Sequence, residues 1–193
     1  MVRDVVVIVG SLRKESFTRK LAKAVVAMAP ASLKFRFVEI GNLPFFNQDN
    51  ENNDTEVVAR FKADIKKADA VLFATPEYHR SEPGVLKNAL EIASRPWGKS
   101  VWGGKPAAVI SVSPGAIAGF GANHHLRQSL VAIDMPTMAQ PEAYIGNVSQ
   151  LLDAEGKLVN PDTVKFFENF LSKFEQWIEA NRPASESQIK AAA

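Results

Sequence analysis

A chain of 193 residues, 46% hydrophobic and 23% charged, is long enough to bury about 70% of its unfolded surface in one core and needs no second domain. It has no cysteine, which excludes a disulfide framework and thiol chemistry, and no apolar run reaches the ~18 residues of a membrane span, so no membrane partner is expected. A net charge of +2 without a lysine/arginine block or an aromatic-interleaved basic stripe disfavours nucleic acid and leans towards small anionic ligands.

The first apolar run, Val5 to Val9, is continuous, as in a central strand buried on both sides. It is shorter than the apolar region of a secretory leader, roughly 7 to 15 residues, so a cytoplasmic location is the expectation. A loop, GSLRKES, leads to a helix from about Phe17 to Met28, with apolar residues at helical spacing, Ser16 to cap it and Pro30 to stop it. Leu33 to Ile40 reads as the second strand. The asparagine-rich loop after it offers Asn53, Asp54 or Thr55 as cap for a helix to about Ala68.

Ala70 to Thr75 is the third strand, followed by the polar loop TPEYHRSEPG and a helix from Gly84 to Ser94. Pro106 to Ser113 is the fourth strand, with the loop PGAIAGFG and a helix from about Ala122 to Ile133. The fifth strand is placed at TMAQ, near Met138, with Glu142 and Tyr144 in a loop beyond it. Asn160 as cap, Pro161 in the first turn and Asp162 against the helix dipole start a last helix to about Ala180. This alternation predicts an α/β fold: a doubly wound, five-stranded parallel sheet of order 2-1-3-4-5, flavodoxin-like, as a single domain over residues 1–182. Residues 183–193 are expected to form a disordered tail.

In such a sheet the ligand sits beyond the carboxyl ends of the strands where the order reverses, between strands 1 and 3. That puts GSLRKESFT beside TPEYHRSEPG. The first loop has neither a G-x-G-x-x-G dinucleotide fingerprint nor a G-x-x-x-x-G-K-[ST] phosphate loop. It offers the Ser11, Ser16 and Thr18 hydroxyls, the Arg13 guanidinium and the N–H groups of a helix start, a set suited to a terminal phosphate. The plainer alternative is a serine-capped helix with an exposed arginine. In the second loop Pro76 and Tyr78 are flat surfaces, and backbone groups near Glu77 and His79 are available to a planar heterocycle; a proline-containing turn would look the same. Ser113, Gly115, Gly119 and Gly121 follow strand 4, where a flexible backbone could approach a ring closely. His124 and His125 point about 100° apart on a helix and have no partner at i+4, so no metal site is expected.

Taken together, GSLRKESFTRKLA, PEYHRSEPGVLKNALE, SPGAIAG, HLRQSL and QPEAY, each at its expected place, strongly resemble the NAD(P)H-dependent FMN reductase family, in its quinone and chromate reductase branch. The resemblance implies a flavodoxin-like homo-oligomer, dimer or tetramer, that holds FMN non-covalently and passes two electrons from NAD(P)H to quinones, chromate or similar small acceptors by a ping-pong mechanism. It further implies that Ser11, Arg13, Ser16, Phe17 and Thr18 hold the FMN phosphate and ribityl chain. Pro76, Glu77, Tyr78 and His79 would line the flavin ring, and Ser113 with Gly115 would close the other side. Such chemistry belongs to the cofactor, so no residue is expected as an essential acid or base. Arg80, His79 and Glu82 are candidates for the substrate side, and Arg127 with Glu142 for a subunit contact.

The chain departs from the family at Thr18 and His79, where asparagine is commoner, at Glu82, where a hydrophobic residue is, and at Glu91-Ile92, where the family has Asp-Trp. His79 and Glu82 thereby bear on substrate preference. Two other readings differ in class. A flavodoxin-like electron carrier without enzyme activity would be strongly acidic, unlike this chain. A hydrolase built on Ser113 would need a G-x-S-x-G elbow, and SVSPG lacks its first glycine.

Overall fold

The apolar runs Val5 to Val9, Ala70 to Thr75 and Ala107 to Val112 become strands buried on both faces, and residue parity decides which face a side chain enters. The structure, a computed structural model, describes residues 1–182; the tail expected to be disordered lies outside them. Strands β1 (Arg3–Val9), β2 (Leu33–Val38), β3 (Ala70–Thr75), β4 (Ala107–Val112) and β5 (Ala143–Ile145) form one all-parallel sheet in the order β2-β1-β3-β4-β5. In β1, Val5, Val7 and Val9 face helices α1 (Phe17–Val26) and α5 (Pro161–Asn181), meeting Phe167, Phe170 and Phe174. Val6 and Ile8 face the opposite layer of α2 (Glu56–Lys67), α3 (Gly84–Ala93) and α4 (Phe120–Ala132), around Phe73 and Trp102. Trp102 is fully buried, and its indole N–H donates to the Leu90 carbonyl at 3.0 Å, which removes the cost of an unpaired donor. Among the described residues no helix is long and apolar enough to cross a membrane.

The helix starts follow local chemistry where a capping side chain is present. Ser16 accepts from the Arg19 N–H, Thr55 from the Val58 N–H and Asn160 from the Thr163 N–H. Helices α3 and α4 have no capping side chain at their starts, where Pro83 and Gly119 stand. Helix α4 starts at Phe120 rather than near Ala122, behind Gly119 in the left-handed region at φ 72°.

The fifth strand differs from the sequence expectation. TMAQ does meet the sheet: the Met138 N–H donates to the Ala107 carbonyl at 2.8 Å, and Thr137 forms a lone bridge to Ala107. The chain then leaves the ladder and returns as Ala143–Ile145, opposite Ile110 to Val112. Tyr144 is therefore in the strand. Three residues at a sheet edge are too few to show a period, and Gln140-Pro141-Glu142 before them reads as a loop, since proline has no N–H to give a ladder.

Candidate functional site

The β1–α1 loop begins where Gly10 lies tight against the β3 side: a Cβ there would meet Leu86 at 3.2 Å and Pro76 and Pro83 at 3.4 Å. Ser11, Ser16 and Thr18 are each buried to within 3% of full enclosure, while Arg13 is exposed and Phe17 half-buried against the core. None of the backbone N–H groups from Ser11 to Glu15, nor those of Phe17 and Thr18, donates to another described backbone group. The first turn of α1 carries no acidic residue to offset its positive end. Unused donors at a helix start, beside a guanidinium, make an anion cradle.

The β3–α3 loop is built differently. Tyr78 and Ser81 exchange both backbone hydrogen bonds, at 2.9 and 3.0 Å, around His79 at φ 53° and Arg80 at φ 67°. Two left-handed residues between a bonded pair make a type I′ turn, a geometry that favours glycine or asparagine. Other elements hold it. One Glu77 carboxylate oxygen accepts from the Ala122 N–H at 3.1 Å, supplying the cap that α4 lacks, and the other accepts from Arg80 at 2.9 Å. Gly121 permits that approach, because a Cβ would come within 2.8 Å of the Arg80 carbonyl and 3.0 Å of the Glu77 carboxylate.

Glu82, a candidate for the substrate side, is turned inward. It is 8% exposed, and its two oxygens accept from Ser81 Oγ at 2.9 Å and Ser129 Oγ at 3.2 Å. His125 Nδ1 lies 3.1 Å from the same Ser81 oxygen. Since Ser81 spends its one proton on Glu82, the geometry assigns a proton to His125 Nδ1.

Between the two loops lies a cleft of about 460 Å³, walled by Gly10, Leu12, Arg13, Tyr78, Pro83 and Val85, within the usual size of small-ligand sites. Of the residues expected around a cofactor, Arg13 and Tyr78 line it. Ser11 and Ser16 belong to the same first loop, Phe17 and Thr18 to the first turn of α1, and Pro76, Glu77, His79 and Arg80 to the second loop, but none of them forms its wall. Ser113 and Gly115 stand one strand further along, where Ser113 Oγ accepts from the Gly115 N–H at 3.0 Å. That loop is pinned from below: Ser111 Oγ donates to the Ala118 carbonyl at 2.8 Å, and the fully buried Asn123 donates to Ser111 Oγ and the Ala143 carbonyl. Gly119 and Gly121 serve packing here, against Ser111 and the β3–α3 loop.

Sequence reasoning singled out neither Gly10 nor Leu12, and their signal was only position, directly after the first strand. It also overlooked Glu77 as a cap for α4, since that bond spans 45 residues.

Two other features compete for attention. A cavity of about 300 Å³ between the β2–α2 loop and α3 holds charged groups that are already matched, Arg95 with Glu51 at 2.6 Å and Lys62 with Asp54 at 2.7 Å. The first turn of α2 beside it also carries an acid, Glu56, where that of α1 carries none. On α4 and β5, Phe120, His124 and Tyr144 stack at the surface, with the Tyr144 hydroxyl 2.9 Å from His124 Nε2. Burial and the adjacent Glu142 carboxylate push the Tyr144 hydroxyl up to about 12. Burial likewise draws the nearby Arg127 guanidinium below its ordinary value, with Glu142 opposing; Arg127 donates to Asn123 and to the Met138 carbonyl.

A family model described as NADPH-dependent FMN reductase matches residues 3–150. A quinone reductase of Pseudomonas putida is 56% identical over 182 residues, covering 94% of this chain and 97% of that protein. A 2-hydroxy-1,4-benzoquinone reductase of a Burkholderia species is 47% identical over 94% of this chain and all of its own length. Among solved structures, FerB of Paracoccus denitrificans, a flavoenzyme NAD(P)H:(acceptor) oxidoreductase, superposes with a TM-score of 0.90 at 42% identity, covering 94% of this chain and all of that one.

Proposed function

The chain belongs to the NADPH-dependent FMN reductase family, and from that premise we propose that it is an oxidoreductase that holds FMN non-covalently at the carboxyl ends of β1, β3 and β4 and reduces quinones at the expense of NAD(P)H. The observation that carries this reading is the set of unused N–H donors at the start of α1, beside Arg13 and opening on the cleft shared with Tyr78.

When bound, FMN supplies the redox chemistry, taking two electrons from NAD(P)H and giving them to the acceptor. The chain's residues bind and orient. Arg13, the Ser11, Ser16 and Thr18 hydroxyls and the α1 N-terminus hold the phosphate, with Phe17 beside the ribityl chain. Pro76, Tyr78 and backbone groups of Glu77 and His79 face the ring from one side, and Ser113 and Gly115 close the other. The Glu77 carboxylate fixes the height of its loop on α4. Arg80 and His79, exposed at the rim, attract an anionic acceptor or the nicotinamide nucleotide phosphates.

Donor and acceptor use one cleft in turn, so the kinetics are ping-pong; chromate is a second acceptor, and the cytoplasm, where NAD(P)H is plentiful, is the working compartment. The functional unit is a dimer or tetramer, with Arg127 and Glu142 at a subunit contact.

The absorbance spectrum of the purified protein tests the reading. Flavin bands bleached anaerobically by NADH or NADPH and restored by menadione are the expected result. A colourless protein that fails to take up added FMN overturns it, and a flavoprotein that ignores both nucleotides is an electron carrier. Parallel double-reciprocal plots check the ping-pong order.

A further inference from the structure

The Tyr78–Ser81 turn contains two non-glycine residues in the left-handed region, so the local chain gains little by closing it. What closes it is α4. Ala122, His125 and Ser129, spaced along one face of that helix, each meet the β3–α3 segment: Ala122 through Glu77, His125 through Ser81 and Ser129 through Glu82. Glu82 is the central member, because its buried carboxylate joins Ser81, the last residue of the turn, to Ser129, with one oxygen to each. Tyr78, the first residue of the turn, forms part of the cleft wall and is 45% exposed.

We propose that Glu82 is a positioning residue: by anchoring the type I′ turn to α4 it fixes the Tyr78 side of the cleft where the acceptor binds. It touches neither acceptor nor cofactor. This rests on the acceptor using the cleft between the β1–α1 and β3–α3 loops, and the experiments separate the two ideas.

The first readout needs no cofactor or activity. Amide exchange at Tyr78 and Ser81, the two N–H groups that close the turn, accelerates about tenfold in Glu82→Val, the effect of losing one hydrogen bond to a charged group. Glu82→Gln, which keeps one acceptor and gains a donor, stays close to wild type. The second readout is kinetic. With menadione, Glu82→Val raises KM about tenfold at a nearly unchanged flavin content, and kcat falls far less.

Adding His79→Gly to Glu82→Val slows amide exchange at Tyr78 and Ser81 most of the way back to the wild-type rate, because glycine takes the left-handed conformation freely. A residue that merely stabilised the fold would give no such rescue. Should Glu82→Val fail to fold, Ser129→Ala removes the α4 side of the anchor and is expected to speed exchange at the same two amides. Unchanged exchange in a folded variant overturns the proposal, as does faster exchange with an unchanged menadione KM. Failure of the wild-type protein to be bleached by either NADH or NADPH refutes the functional reading and leaves the exchange result standing.

Discussion

The β1–α1 and β3–α3 loops wall the same cleft but are held in opposite ways. The first is organised within a few residues of itself: Ser16 caps the helix it introduces, and the donors it exposes are backbone groups. The second is held by contacts 44 to 47 residues away, through Glu77, Ser81 and Glu82 to α4, and contains two left-handed residues. On the proposed function, a phosphate is the same in every FMN, so a local, self-contained cradle would suffice for it. The acceptor would distinguish one such enzyme from another, and its side of the cleft would be adjustable through a distant helix.

The sharpest way to break this contrast is Gly121→Val. The new side chain must displace the Arg80 carbonyl or the Glu77 carboxylate, and overpacking of this kind costs about 1–3 kcal/mol. The melting temperature should fall by about 2–4 °C for each of those kcal/mol, and menadione turnover should drop further than flavin content. Unchanged melting would mean that α4 does not hold the loop.

Next in size is Arg13→Ala, which tests the self-contained loop. Loss of a hydrogen bond to a charged group is worth about 1.5–3 kcal/mol, so FMN affinity should fall tenfold or more by fluorescence titration while the apoprotein melts as before. Undiminished affinity would remove Arg13 from the phosphate site.

A smaller effect is expected from His79→Asn. Asparagine accepts the left-handed conformation more readily, so the turn should be no less stable, and the ratio of kcat/KM for menadione and chromate should move by about threefold or more with little change in FMN affinity. An unaltered ratio would place acceptor choice elsewhere.

The smallest effect lies outside both loops and serves as their baseline. The Tyr144 hydroxyl is raised from 10.0 to about 12 by burial and by Glu142. Above pH 10 the unfolded chain loses this proton while the folded one keeps it, so the stability it contributes is full below pH 10 and fades as pH rises towards 12. Thermal melts of wild type and Tyr144→Phe should therefore differ by a constant amount below pH 10, and wild type should lose stability relative to the variant as pH rises from 10 towards 12. A difference that stays constant through that alkaline window would mean that the folded chain does not hold this proton more tightly.

The same contrast explains what could be read from the sequence. Sheet order, the start of α1 and the unused donors before it were legible because their determinants are local: a continuous aliphatic run, a serine three residues before the N–H it caps, and a first helical turn free of acidic residues. Three-residue β5 was misplaced because its pairing partners at Ile110 to Val112 define it, not its own letters. The start of α4 was set two residues late because its cap comes from Glu77. Glu82 drew notice as an unusual residue for its place, but only the tertiary contact with Ser129 shows that it faces inward.

Because α4 takes its first turn's cap from the β3–α3 loop, residues 77–82 and 121–129 behave as one inheritable block. A chimera whose imported loop had no carboxylate at position 77 would strand the N–H groups at the start of α4, and one that moved that helix start would strand the carboxylate. On the proposed function, a transfer of acceptor range, by recombination or by design, would have to carry both segments together.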